Sequence, residues 1–237
     1  MYELPTIILL AGGLGTRLKN LTEKIPKSLV TINNKPFIYH QLSLLKKNNI
    51  KNVIICTGHF SHKIKDYVGD GHKFGLNINY SDDGKNLLGT GGALKKAALL
   101  TNGPFFIMYG DSYLDINFCD IFNFYRDNHE IPVMTIFKNN NMWDKSNICY
   151  KDNKILSYEK LSKNEDILYI DYGLSIMHKK DLINFNRKDK FDMSLIFSYL
   201  LDNNSLIGYE VFTRFYEVGS MSGINDLELY LQRKLEK

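Results

Sequence analysis

The sequence predicts an α/β fold in which a mostly parallel sheet carries helices on both faces, and three observations predict it. Short apolar runs rich in Ile, Val and Leu take turns with amphipathic stretches of helical period through the first half of the chain, the pattern of βαβ units. Glycine-rich segments follow two of those runs, where a tight turn must lead from strand to helix. At 237 residues, with 44% hydrophobic and 24% charged side chains, the chain can bury a sizeable core and still cover it with polar groups.

Each element has a local reason. Thr6 to Leu10 is a β-branched and leucine run that reads as a buried strand. Pro36 suits the first turn of a helix running to Lys47, in which Phe37, His40, Gln41, Leu44 and Leu45 fall close to one face. His40 in that stripe reads as a satisfied core histidine. Strands follow at Val53 to Thr57, Leu76 to Tyr80 and Phe105 to Tyr109, with helices at Ser61 to Val68 and Gly91 to Leu100 between them. From Ile131 the texture changes to shorter extended pieces, Pro132 to Phe137, Asn147 to Tyr150, Ile155 to Tyr158 and Gly173 to His178, joined by polar turns such as Lys151-Asp152-Asn153. These predict a small antiparallel extension folded over the sheet. A last helix from about Gly223 places Ile224, Leu227, Leu231 and Leu235 at helical spacing, a stripe that docks on the core. The chain therefore reads as one domain, 1–237, with a first half to about residue 130 and a second half from 131 onward.

Composition removes several classes of function. The balance of 30 Lys and Arg against 26 Asp and Glu gives a net charge of +4, too mild and too dispersed for a nucleic-acid footprint. The compact basic clusters Lys46-Lys47 and His178-Lys179-Lys180 read as helix ends facing solvent. Cys56, Cys119 and Cys149 are widely spaced and form no C-x-x-C pair, so neither a disulfide framework nor a zinc knuckle is predicted. No run of about 18 apolar residues suggests a membrane span, and Met1-Tyr2-Glu3-Leu4-Pro5 lacks a basic leader. A cytoplasmic protein without a membrane or nucleic-acid partner is expected.

The chemistry is carried by Ala11-Gly12-Gly13-Leu14-Gly15-Thr16-Arg17-Leu18, with Pro26-Lys27-Ser28 beyond it. Glycines let backbone N–H groups approach a phosphate closely, and Arg17 and Lys27 neutralise what the backbone alone cannot. Two familiar phosphate loops are excluded. Leu18 stands where the third glycine of G-x-G-x-x-G belongs, and no G-K-[ST] follows to make a Walker A loop. The segment instead resembles the A-G-G-x-G-T-R-L signature of the sugar-1-phosphate nucleotidylyltransferases, in which a later Pro-Lys pair supplies a catalytic lysine. The resemblance implies a Rossmann-like sheet whose antiparallel extension binds the acceptor.

Ligands of an open parallel sheet bind outside the carboxyl ends of its strands, so the segments after Leu10, Tyr80 and Tyr109 converge on one mouth. The resemblance implies that Leu10, Ala11, Gly12, Gly13, Gly15, Thr16 and Arg17 hold the nucleotide together with Leu88, Gly89 and Thr90. The latter three lie in Asn86 to Ala93, which is similar to the family's L-G-T-[AG]-G-A segment and which equally serves as a capped helix start. Gly110-Asp111 resembles the G-D element whose aspartate binds Mg²⁺ beside the α-phosphate. Glu217 stands where relatives carry an aspartate as second metal ligand, one methylene longer but still a hard oxygen donor. On the acceptor side Glu159-Lys160 resembles the E-K element, and Asp171-Tyr172-Gly173 replaces N-[AT]-G. An aspartate there accepts hydrogen bonds and cannot donate them. Gly92, Tyr109, Asp111 and Trp143 complete the implied substrate set with Glu159, Lys160, Asp171 and Gly173; Trp143, the only tryptophan, either covers the acceptor pocket or packs on its loop.

The implied reaction joins a nucleoside triphosphate to a sugar 1-phosphate, giving an NDP-sugar and pyrophosphate, with Arg17, Lys27 and Asp111 as catalytic residues and Mg²⁺ as cofactor. Arg17 would hold the departing phosphates, Lys27 the α-phosphoryl group and Lys160 the incoming phosphate. By overall resemblance the chain leans to the short heptose-1-phosphate and mannose-1-phosphate guanylyltransferases, hence to GTP and to nucleotide-sugar supply for polysaccharide biosynthesis. Cytidylyl or uridylyl transfer to another sugar phosphate, or to a small non-sugar phosphate, is the alternative that Asp171 leaves open. A regulatory nucleotide-sugar sensor would require a broken catalytic set, and Arg17, Lys27 and Asp111 are all present. The stretch from Ile131 to His178 is a candidate interface for a homo-oligomer.

Overall fold

The computed structural model describes residues 3–13, 23–159, 166–187 and 190–236. Strand β1 (Thr6–Leu10) leads, beyond a 3-10 turn at Lys27–Leu29, to the short hairpin of β2 (Thr31–Ile32) and β3 (Lys35–Pro36) and then to helix α1 (Phe37–Lys47). Alternation continues with β4 (Asn52–Thr57), α2 (Ser61–Val68), β5 (Asn77–Asp82), α3 (Gly89–Ala98) and β6 (Phe105–Tyr109). After β7 (Ser112–Tyr113) and α4 (Phe118–Asp127) come β8 (Val133–Lys138), β9 (Ile148–Lys151), β10 (Lys154–Tyr158) and β11 (Tyr169–Met177). The chain closes with α5 (Ser194–Asp202), β12 (Ile207–Val211), β13 (Tyr216–Glu217) and α6 (Met221–Leu235).

β1 lies at the middle of the parallel part, paired with β4 on one side and β6 on the other, and β5 extends the sheet beyond β4. Its side chains alternate between two cores. Ile7 and Leu9 pack with Ile38, Leu42 and Leu45 of α1 and with Phe118 and Tyr125 of α4, whereas Ile8 packs with Leu94 and Ala97 of α3 and Phe197 of α5. Each fully buried Leu or Ile side chain stabilises by roughly 1.5–3 kcal/mol, and burial on both faces explains why β1 has no polar alternation. A third cluster docks α6 through Ile224, Leu227 and Leu231 onto Phe37, Leu44 and Tyr113. No helix of the described residues is long and apolar enough to cross a membrane.

The second half departs from the expected extension. It does not fold over the sheet but continues it, since β11 pairs antiparallel with β6 and with β8, and β12 adds to β8 in parallel, making nine strands among the described residues. The strand expected from Gly173 begins earlier, at Tyr169, because a register break between Asp171 and Ser175 interrupts its pairing with β8 and hides the strand's period. The helix expected at Gly91 starts at Gly89, and the structure adds two helices, α4 and α5, to those the sequence predicts. His178-Lys179-Lys180 opens a 3-10 turn rather than closing a helix, with Asp181 accepting from the His178 N–H.

Residues from both halves meet at the start of α3. Phe191 N donates to Leu88 O at 3.1 Å, Gly91 N donates to Phe191 O at 3.1 Å and Met193 N donates to Thr90 Oγ1 at 2.8 Å. Gly89 has φ +73°, and a Cβ there would overlap the Phe191 carbonyl. Gly89→Ala should therefore destabilise the fold by about 1–3 kcal/mol, with a Tm lower by several degrees, while Gly103→Ala, which meets open space, should stay within about 0.5 kcal/mol of the parent in denaturant unfolding.

At the end of β5 the Asp82 carboxylate accepts from Ser61 Oγ, Lys65 Nζ and Gly84 N. Burial pushes its pKa up, but the Lys65, Ser61 and Gly84 hydrogen bonds together bring it down to about 2. A depressed pKa stabilises the fold above the unfolded value and is lost as pH falls through the folded one. The stability difference between the parent and Asp82→Asn should thus be full at neutral pH and shrink between about pH 4 and pH 2, as followed by thermal melts across that range.

Candidate active site

The register of β1 with β6 sets Leu10 beside Tyr109, so the chain leaves both strands at the same level. Gly110 then lies against the exit of β1. Its N–H donates to Leu10 O at 3.1 Å, and a Cβ would stand 2.5 Å from that oxygen and 2.7 Å from Ala11 Cα. The turn is pinned from below by Gln41 of α1, fully buried, whose Nε2 donates to Ser112 O at 2.9 Å and to Tyr109 O at 3.2 Å. These contacts aim Asp111 across the ends of the parallel strands.

A cavity of about 370 Å³ opens there, walled by Leu10 to Gly13 after β1, Cys56 of β4, Asp83 after β5, and Tyr109 to Asp111 after β6. Lys27 and Ser28 enter it from the 3-10 turn that follows Pro26. Lys27 Nζ lies 2.9 Å from Asp111 Oδ2, with the two side chains 15% and 31% exposed. A cation and a carboxylate held together at a cavity wall are each ready to exchange the other for a ligand of opposite charge. Leu87, Gly89, Thr90, Ala93 and Lys190 complete the described lining.

Of the residues expected at the nucleotide, Leu10, Ala11, Gly12, Gly13, Gly89 and Thr90 line this cavity. Gly15, Thr16 and Arg17 lie outside the described residues, as does Lys160. Leu88 and Gly92 do not line it; Leu88 offers its carbonyl to Phe191, Gly89 and Gly91 make room for Phe191, and Gly92 makes room for the Leu88 side chain. Thr90 spends its hydroxyl on Met193 N and not on its own helix.

Asp171 sits where its acceptor-only chemistry is matched. Its Oδ2 accepts from the Tyr109 hydroxyl at 3.0 Å and the Tyr158 hydroxyl at 3.4 Å, and its Oδ1 accepts from Gly173 N at 2.9 Å. Burial, reinforced by the Asp171 charge, pushes both phenols far above their usual range, so both remain donors. An asparagine amide in the same orientation would turn one donor toward another. Glu159 is exposed, with its N–H donating to Asn147 O at 2.7 Å.

Glu217 lies beside the Asp111 turn in the backbone, but its side chain lines a different cavity. β13 pairs with β7, and Val218 N donates to Asp111 O at 2.9 Å, but the Glu217 carboxylate turns to the start of α6, accepting from Ser220 Oγ at 2.6 Å and from Gly219 N. It lines a separate cavity of about 200 Å³ with Trp143, Arg214 and Gly223. The Glu217 side chain reaches Ser220, the residue that caps α6 by accepting from Gly223 N, and Gly223 leaves room for it. Trp143 is covered on one face by the Arg214 guanidinium, 3.4 Å from its ring centre. Among the described residues no group of three or more His, Cys, Asp and Glu converges as a metal cage. Mg²⁺ is usually held by one or two carboxylates together with substrate phosphates and water, and Asp111 in the cavity wall fits that pattern.

Sequence reasoning missed Gln41 as the clamp of the Asp111 turn, although a lone amide in an apolar helical stripe was the available signal. It missed Asp83 too, which the strand-end rule could have found. Nothing in the sequence pointed to Lys190, whose place depends on the docking of Phe191.

Residues 6–145 match the family model described as nucleotidyl transferase. The chain is 33% identical over 187 residues to D-glycero-alpha-D-manno-heptose 1-phosphate guanylyltransferase of Campylobacter jejuni, covering 78% of this chain and 80% of the relative. It is 35% identical over 116 residues to N-acetylmuramate alpha-1-phosphate uridylyltransferase of Neisseria meningitidis, covering 48% of this chain and 50% of that protein. Among solved structures, HddC from Yersinia pseudotuberculosis complexed with GMP-PN superposes with a TM-score of 0.82 at 22% identity, covering 96% of this chain and 100% of that one, which shows the shared fold. On its sequence match and its sheet, the chain belongs to the sugar-1-phosphate nucleotidylyltransferase family.

Proposed function

We propose that the chain transfers a guanylyl group from GTP to a heptose or hexose 1-phosphate. The observation that carries this reading is the Lys27–Asp111 pair in a cavity closed by the ends of β1, β4, β5 and β6. The match to a heptose 1-phosphate guanylyltransferase over most of both chains supports the choice of base and acceptor.

In the proposed reaction an oxygen of the acceptor phosphate attacks the α-phosphorus in line, forming the new P–O bond as the bond to the β-phosphate bridging oxygen breaks. Pyrophosphate leaves with that electron pair. Lys27 turns from Asp111 to the α-phosphoryl oxygens and neutralises the charge that grows there. Asp111 would hold Mg²⁺, which when bound supplies further neutralisation of phosphate charge. Arg17, by its place in the motif, binds the departing phosphates. Lys160 and Glu159 meet the acceptor's phosphate and hydroxyls, and Asp171, through Tyr109 and Gly173, shapes the floor beneath it.

Four outcomes are expected. Lys27→Met, nearly isosteric, should lower kcat by about 100-fold or more with an unchanged circular dichroism spectrum; unaltered turnover would remove Lys27 from the reaction. In Mg²⁺ titrations Asp111→Asn should raise the half-saturating concentration more than Glu217→Gln does, and equal shifts would mean that the Glu217 carboxylate leaves its helix in the loaded enzyme. A matrix of GTP, UTP, CTP, ATP and dTTP against sugar 1-phosphates and small phosphorylated alcohols, read as pyrophosphate, should show GTP with a heptose or hexose 1-phosphate. Asp171→Asn should change the preferred acceptor more than the preferred nucleotide, and strong activity with CTP and a non-sugar phosphate alone would overturn the assignment.

A further inference from the structure

The carboxylate that would hold Mg²⁺ already faces a cation. Lys27 Nζ donates to Asp111 Oδ2 at 2.9 Å, and with the two side chains 15% and 31% exposed, water screens the pair only in part. Both partners stand on short, hydrogen-bonded turns. Asp111 follows Gly110 in the turn that Gln41 ties to α1, and its carbonyl accepts from Val218 N. Lys27 opens the 3-10 turn in which Leu29 N donates to Pro26 O and Val30 N to Lys27 O. With the backbone held on both sides, the side-chain torsions are what can part the pair.

Among the described residues no second carboxylate joins Asp111. Glu217, which the sequence offers as the other ligand, has Oε1 accepting from Ser220 Oγ at 2.6 Å and Oε2 accepting from Gly219 N. Asp83 lines the same cavity but follows β5, three positions away from β6 in the sheet order. The charged side chains of the described lining, Lys27 and Lys190 against Asp83 and Asp111, cancel.

We propose that Lys27 is a latch on the metal site, keeping Mg²⁺ off Asp111 until the triphosphate of a nucleotide draws the ammonium away. A divalent cation arriving alone would have to displace that ammonium from a partly buried carboxylate and then sit beside it, like charge against like charge. Mg²⁺ gives up water reluctantly, and one carboxylate repays little of that cost. A triphosphate changes both sides of this balance, since it gives Lys27 a new anion and brings the metal oxygen ligands of its own. Metal and nucleotide are thus coupled, each tightening the other by the same factor, and part of that coupling is carried by the Lys27 side chain. The inference rests on the reading of Asp111 as metal ligand and Lys27 as phosphate cation, and is independent of the base that the nucleotide carries.

Mn²⁺, a spectroscopic stand-in for Mg²⁺, tests it on the purified full chain without nucleotide, through loss of the free-ion electron paramagnetic resonance signal. Lys27→Met should bind Mn²⁺ about 10-fold or more tightly than the parent, and Lys27→Arg, which keeps the charge, should stay near the parent. Asp111→Asn alone should leave the parent's weak binding unchanged, because Lys27 already engages the carboxylate that it removes. Added to Lys27→Met, it should abolish the gain. No gain in a Lys27→Met protein with an unchanged circular dichroism spectrum would overturn the latch. So would a large loss of Mn²⁺ binding in the single Asp111→Asn variant, since Asp111 would then hold the ion with Lys27 in place. A gain that survives Asp111→Asn would instead overturn the reading of Asp111 as the metal ligand.

Discussion

Every part of the site depends on the parallel pairing of β1 with β6. Because Leu10 and Tyr109 are register partners, the glycine loop and the Gly110-Asp111 turn leave the sheet at one level, and only a residue without a Cβ fits between them. Gln41 then converts this close approach into a fixed geometry, using one buried amide to tie both ends of the turn to α1. A buried amide that is hydrogen-bonded rigidifies its surroundings, and here what it rigidifies is the carboxylate facing Lys27.

The two halves of the chain share one sheet and are locked again where Phe191 seats on the start of α3. That contact gives a second meaning to the glycine-rich segment. In the sequence its glycines resemble a surface through which backbone atoms meet a nucleotide. In the structure Gly89 lines the cavity with one side and makes room for the Phe191 backbone with the other, while Gly91 and Gly92 are given over to packing. Lys190 reaches the cavity as a consequence of this docking.

Acidic side chains divide the labour by what surrounds them. Asp111 faces a cation, Asp171 faces hydroxyl and amide donors, Glu217 faces the Gly219 N–H and the Ser220 hydroxyl just ahead of α6, and Asp83 keeps one oxygen without a donor. The departure from asparagine at Asp171 and from aspartate at Glu217 both follow from local partners. Tyr109 and Tyr158 can each donate into an acceptor-only group, and Gly223 leaves the space that a longer carboxylate needs.

The sequence by itself determined the alternation of strands and helices in the first half, since hydrophobic period and helix-start residues are local properties, and β1, α2 and β6 stand where that period puts them. It also determined the order of the phosphate-loop residues and singled out Lys27 and Asp111, because those residue types are required by charge; that the two meet was decided by the fold. Tertiary structure decided the rest. Whether the strands after Ile131 fold over the sheet or extend it depends on edge pairing between β6 and β11, which no local pattern encodes. Where a carboxylate points depends on which donors reach it from distant segments, so Glu217 could be recognised as a hard oxygen ligand in the sequence while its position at the head of α6 was set by Ser220 and Gly223.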